Sequence, residues 1–203
     1  MRKWGYVADI VLLHEGIPDL LPMTNRSPGM HISTIISDLC VNLGYHDARP
    51  ADEDFPQSVK DRMAFGNALE HAIIHRYELD SPGRYVQPGE LSCDGLFGTP
   101  DLLDVETFTV HEIKCTWLSA NHKIDSKKLW KYHVQIKAYC WMLETLKGQL
   151  QIGYVNGDYS DMSPMFRRWD ITYTKAELAQ NWNMLVSHGN AMGVGIKKKG
   201  KRR

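Results

Sequence analysis

Leu96-Phe97-Gly98-Thr99-Pro100-Asp101-Leu102-Leu103-Asp104-Val105-Glu106-Thr107-Phe108-Thr109-Val110-His111-Glu112-Ile113-Lys114-Cys115-Thr116 is the stretch on which the reading of this chain turns. Apolar and β-branched residues stand on either side of Asp104-Val105-Glu106, a pattern that predicts two strands joined by a turn. The first is the end of a strand over Leu91–Leu103, broken by Gly95 and Gly98; the second covers Thr107–Cys115. Residues two apart on a strand share a face, so Glu112 and Lys114 project together, beside Phe108 and Val110. A hairpin brings Asp101 across to the same edge. Two carboxylates beside a lysine sit awkwardly in a core strand, because ionised groups resist burial unless paired or metal-bound. A divalent Mg2+ or Mn2+ resolves the conflict, since a hard cation takes carboxylate oxygens and keeps waters for chemistry. The lysine then orients or deprotonates such a water. Taken alone, D-x(10)-E-x-K describes a solvent-facing Glu–Lys pair on an edge strand at least as well.

Working outward, a short strand is expected over Arg84–Pro88, preceded by a long helix over Gln57–Leu79. Val59, Met63, Gly66, Leu69, Ile73 and Tyr77 recur along that helix at helical spacing. Ser33 is a candidate cap for an earlier helix, Thr34–Leu43, stopped by Gly44; polar, proline-bounded Arg49–Pro56 is a loop. Downstream, Ser126–Leu146 reads as a second long helix ended by Gly148. Strands follow over Gln149–Val155 and Phe166–Tyr173, joined through Asn156-Gly157-Asp158. Thr174 and Glu177 form a T-x-x-E capping box that opens a last helix to about Ser187. The order predicts an α/β (α+β) domain, a central mixed sheet clasped by helices.

The 203 residues, 43% hydrophobic and 24% charged, suit one globular domain and exclude a disordered or collagen-like chain. No run of apolar residues is long enough to cross a membrane, and Ile10–Leu13 is too short for a signal peptide, so a cytoplasmic protein is expected. The zero net charge hides an asymmetry. Residues 197–203 carry six of the 24 basic residues and no acidic one, which leaves 18 basic against 24 acidic over 1–196, a net of −6. An acidic body with a basic arm fits a cation site plus a contact for a polyanion, or a solubilising end. We therefore expect a single domain over 1–196, its first 32 residues an irregular lead-in, followed by a flexible tail over 197–203.

Two more short motifs flank the hairpin. Gly66-Asn67-Ala68-Leu69-Glu70 lies in the helix before the sheet, and Gln135-Ile136-Lys137-Ala138-Tyr139 in the helix after it, where Gln135 and Tyr139 share one face. The series G-x-x-x-E, G-x-x-D, E-x-K and Q-x-x-x-Y resembles the PD-(D/E)xK nuclease superfamily, and within it the RecB-like exonuclease branch. The match covers about residues 33–175 and keeps the order and spacing of all four motifs. The resemblance implies a restriction-endonuclease-like core and a Mg2+- or Mn2+-dependent deoxyribonuclease with one or two ions. It implies that Glu70, Asp101, Glu112 and the carbonyl of Ile113 ligate metal, that Lys114 activates the nucleophile, and that Gln135 and Tyr139 position the scissile strand or brace the site. Small stand-alone proteins of this architecture resemble phage recombination or DNA-degrading exonucleases. DNA, linear and single- or double-stranded, is then the partner, a single-strand annealing protein or recombinase a candidate second one, and the host cytoplasm the compartment. A restriction or structure-specific endonuclease of the same superfamily, or a non-catalytic DNA-binding module, are the alternatives. No sequence-reading domain is evident, and all four of Glu70, Asp101, Glu112 and Lys114 are present.

The remaining chemistry-bearing residues are read as structural. His71, His75 and His111 are given packing or surface roles, and His14, His31, His46, His122, His133 and His188 show no ligand spacing. Cys40, Cys93, Cys115 and Cys140 lack the closely spaced thiolates of an iron–sulfur site, so no cluster is expected. Trp130, Trp141, Trp169 and Trp182 are assigned to core or rim. Trp117 differs, following the E-x-K strand in a polar stretch with Lys123, Lys127 and Lys128 that is placed to touch DNA phosphates, or is equally a solvated basic loop.

Overall fold

A computed structural model describes residues 27–45, 56–118, 126–155 and 165–193. The lead-in before residue 27, the loop at 49–55, the turn at 156–158, Lys123, the side chains of Lys127 and Lys128, and the tail at 197–203 lie outside the described residues.

Strand β1 (Met30–His31) leads into α1 (Ile32–Asn42) and the long α2 (Gln57–Asp80). Strands β2 (Tyr85–Val86), β3 (Leu91–Cys93), β4 (Leu96–Gly98), β5 (Leu102–Asp104) and β6 (Thr109–Thr116) follow. Then come α3 (Ser126–Met142), β7 (Lys147–Tyr154), β8 (Met165–Thr172) and α4 (Lys175–Ala191). The main sheet has the order β2-β5-β6-β7-β8. Only its β6–β7 pair is parallel, and α3 makes the crossover that a parallel pair requires. A smaller sheet, β1-β4-β3, sits apart from it.

Strand parity divides the core. Leu103, Val110, Leu150, Ile152 and Tyr154 join α1, α3 and α4 in the larger cluster. Leu102 and Ile113 face the other way and pack with Ile74, Ile73 and Tyr77 of α2. On α1, Ile32, Ile35, Ile36 and Cys40 are buried at helical spacing; on α4, Leu178, Trp182 and Leu185 do the same. Burying one such stripe per helix against a sheet is what holds a layered domain together. Both halves of the Thr174–Glu177 capping box are formed.

Several expectations are corrected. The run expected as one strand over Leu91–Leu103 is three strands in two sheets. Asp94 and Gly95 both take positive φ (48° and 78°), so they form a two-residue hairpin turn between β3 and β4. Phe108 does not lie on the β6 face. It sits in the preceding turn with φ of 55° and is exposed. His31 rather than Ser33 is the N-cap of α1, because β1 feeds directly into the helix. Helix α3 stops at Met142, four residues early. Glu144 adopts a left-handed φ of 55° and the Thr145 amide returns to the Cys140 carbonyl, the closure a glycine usually provides. Gly148 lies instead within β7, where a Cβ would collide with Ile136.

Candidate active site

Strand β5 pairs with only the first three residues of β6, Thr109 to His111. Beyond that point no strand among the described residues pairs with the β5-side edge of β6, and its backbone there meets side chains. The Asp101 carboxylate, just before β5, accepts the Ile113 amide at 2.7 Å. The Ile113 carbonyl accepts Lys114 Nζ at 2.9 Å. At such an edge, groups from both faces of a sheet can meet. Glu112 and Lys114 belong to one face, yet Glu70 reaches them from α2 on the other.

Four oxygens converge on the Lys114 ammonium: Glu112 Oε1 at 2.5 Å, Ile113 O at 2.9 Å, Asp101 Oδ2 at 3.6 Å and Glu70 Oε2 at 4.0 Å. Glu112 is fully buried, and its Oε2 has no hydrogen-bond partner. Burial and the neighbouring Asp101 charge push the Glu112 carboxyl up to about 8, against the pull of Lys114. Burial, and then Asp101, raise Glu70 to about 8 likewise. Burial opposes the Lys114 charge, but the three carboxylates outweigh it and hold the ammonium well above its ordinary value. Three carboxylates share one monovalent cation, so the cluster is short of positive charge.

This arrangement bears on the metal expected from sequence. Among the described residues, no group of three His, Cys, Asp or Glu side chains is arranged as a metal cluster. The reason is local: the ammonium occupies the point that the four oxygens share. Those oxygens are all hard donors, one carboxylate oxygen is orphaned in the interior, and a cation already stands among them. Glu70, Asp101, Glu112 and the Ile113 carbonyl are therefore the groups that could hold a divalent ion.

The rest of the motif set divides between packing and open space. Tyr139 is buried, accepts a hydrogen bond from Gln135 Nε2 at 3.0 Å, and lies so close to Gly98 that a Cβ there would be 2.7 Å from its ring. Gly98 is thus a close approach that fixes the strand before Asp101 over α3. Tyr139 thus packs between α3 and the strand before Asp101. A Cβ at Gly66 would meet nothing within 4 Å, so the helix is open there. His111 is buried on the face opposite Glu112, edge-on to Tyr77 and Tyr85, and burial lowers it to about 4. Trp130 packs on Tyr45, and Trp141 stacks on Trp182. Trp117 is exposed and lies 5.0 Å from Phe65 of α2. Phe65 was not singled out in the sequence; its place one residue before Gly66 was the available signal.

The fold and this edge together describe a mixed-sheet domain with an acidic, lysine-containing cluster at the end of a hairpin. No family model and no curated protein matches the sequence. Solved structures do match in fold. A phage-related exonuclease from Haemophilus somnus 129PT aligns over 79% of this chain and 79% of its own, with a TM-score of 0.50 at 16% identity. An alkaline exonuclease from Laribacter hongkongensis aligns over 83% of this chain and 90% of its own, with a TM-score of 0.50 at 16% identity. The chain therefore shares the fold of these exonucleases. No helix among the described residues is long and apolar enough to cross a membrane.

Proposed function

We propose that this chain is a Mg2+- or Mn2+-dependent deoxyribonuclease, most simply an exonuclease acting on linear DNA. One observation carries the reading: four oxygens from Glu70, Asp101, Glu112 and Ile113 surround a single cation at an open strand edge. A domain has no packing reason to hold three carboxylates on one ammonium, with one carboxylate oxygen left unpaired. The same fold in two exonucleases supports the reading.

Phosphodiester hydrolysis needs the phosphate charge neutralised and a water aligned opposite the leaving oxygen. A divalent ion held by Glu70, Asp101, Glu112 and the Ile113 carbonyl would supply Lewis acidity to the phosphate oxygens and a more acidic water. The chain's own groups do the rest. Lys114, kept cationic by its neighbours, donates hydrogen bonds that orient the attacking water and offset charge on the phosphate. Asp101 fixes the Ile113 amide and with it the direction of the carbonyl. Gln135 and Tyr139 brace Gly98 behind the site.

Residues 1–196 are then one nuclease domain and 197–203 a basic arm for phosphates, in a protein of the cytoplasm, or of the host cytoplasm if phage-encoded. A single-strand annealing protein or recombinase is the partner this chemistry suits. End-labelled linear DNA and closed circular DNA, each incubated with Mg2+ or Mn2+, test the reading. Loss of linear DNA alone is expected. Nicked circles would make the protein an endonuclease, and intact DNA in both arms would leave only a binding module.

A further inference from the structure

Of the described tryptophans, Trp130, Trp141 and Trp182 are engaged with other rings of the core. Trp117 is 43% exposed, in contact with half-buried Phe65, the rings 5.0 Å apart and tilted by 41°. The pair spans the same two elements as the acidic cluster. Phe65 precedes Glu70 by five residues on α2, roughly 7.5 Å along the axis. Trp117 follows Lys114 by three residues at the end of β6, about 10 Å in extended chain. Glu70 to Lys114 and Phe65 to Trp117 are thus two rungs between α2 and the end of β6, one charged and one aromatic. No charged residue lies between the rungs on either element: Gly66 to Leu69 on α2, Cys115 and Thr116 on β6. At Gly66 the floor is open, with nothing within 4 Å of where a Cβ would be. The exposed part of the Trp117 ring is therefore an aromatic surface at the same helix–strand junction as the acidic cluster.

We propose that Trp117, supported by Phe65, is a stacking platform for an unpaired base beside the bond cut at the Glu70–Lys114 edge. The substrate is then a DNA strand whose end is single-stranded at that nucleotide. This rests on the nuclease reading above. A base inside a duplex has both faces covered by its neighbours, so it cannot lie on a protein ring without first unstacking.

The test is a binding cycle in EDTA, where no turnover complicates it. A labelled single-stranded oligonucleotide is compared with a series that each lack one base at successive positions from either end. Anisotropy gives affinities for wild type, W117A, W117F and the control W169A, whose exposed indole lies on the opposite face of β8 from Arg168. Removal of one particular base is expected to weaken wild-type binding about ten-fold, and W117A to weaken the intact strand similarly. That same abasic strand should lose nothing further with W117A. W117F keeps a ring and should retain the position dependence, which carries the test if W117A fails to fold. W169A should match wild type at every position. Independent, multiplying effects of Trp117 and every abasic position would overturn the proposal. So would a W117F protein that responds to no base in particular. The cycle reads binding alone, so it stands or falls separately from whether the protein cuts DNA.

Discussion

The two ends of strand β5 carry opposite solutions to the same problem, a carboxylate taken out of water. At one end Asp104, almost fully buried, accepts two hydrogen bonds from Arg84 and two from the Glu106 and Thr107 amides. Burial alone would raise its carboxyl, but these bonds outweigh it and hold it at about 2. At the other end, Asp101, Glu112 and Glu70 divide one lysine, and Glu112 and Glu70 are raised to about 8. Asp104 is satisfied by the fold alone. Among the described residues the three acids at the far end have one lysine between them, and on the reading proposed above a divalent ion would complete the set. That asymmetry, two hairpin ends a few residues apart, is what makes the second the candidate functional end.

The largest effect is expected where the set is incomplete. Glu112→Gln keeps the shape and removes the ionisable carboxyl that would ligate the ion, so cleavage should fall by at least about 100-fold. Stability should hold or rise, because burial and the Asp101 charge already oppose an ionised carboxyl at this position. Metal sharpens the contrast. Saturating Mg2+ or Mn2+ should raise the melting temperature of the wild type by roughly 2–8 °C, and that of Glu112→Gln much less. Scanning calorimetry with and without the ion measures both. A wild type indifferent to either ion would place Glu112 among ordinary buried ion pairs.

At the satisfied end the sign is reversed. Asp104→Asn should cost about 2 kcal/mol at pH 7, because the native carboxyl titrates well below its ordinary value of 3.8. A carboxyl depressed by folding contributes stability above its unfolded value and loses it as pH falls through the folded one. The gap between wild type and Asp104→Asn should therefore be full at pH 6 and shrink steadily from about pH 4 towards 2. Urea unfolding at a series of pH values gives it directly. A gap that stayed constant with pH would mean that Asp104 contributes packing and not charge.

How much of this was legible in the sequence follows from the range of each interaction. Strand parity alone puts Glu112 with Lys114, and the turn at Asp104 puts Asp101 opposite them, because these contacts are local in the hairpin. The capping box at Thr174 is equally local. The meeting of Glu70 with that edge depends on α2 crossing the other face of the sheet, which no spacing encodes; only the resemblance of motifs supplied it. The Phe65–Trp117 contact joins distant segments, and the place of Phe65 beside Gly66 does not say what it meets. The division of Leu91–Leu103 was local and still missed, although Asp94-Gly95 is a strong hairpin signal. There the glycine is the turn between two strands, and periodicity alone does not separate a turn from an interruption within one. The left-handed Glu144 is the opposite case, since nothing in a glutamate announces a helix stop.

The smallest effect is expected at a polar group that is both satisfied and remote. The Thr174 hydroxyl accepts the Glu177 amide at 3.2 Å, and the Glu177 carboxylate accepts the Thr174 amide at 2.7 Å. Loss of such a cap costs about 1 kcal/mol. Helix α4 packs on the α1 and α3 side, away from the Glu70 face, and contributes no group to the acidic edge. Thr174→Ala should therefore lower the melting temperature by a few °C and leave the cleavage rate per folded molecule unchanged. Rate and melting point measured on one preparation decide it. A Thr174→Ala protein that melts normally yet cuts slowly would tie the edge to α4, and the contrast between the two ends of β5 would no longer be local to the hairpin.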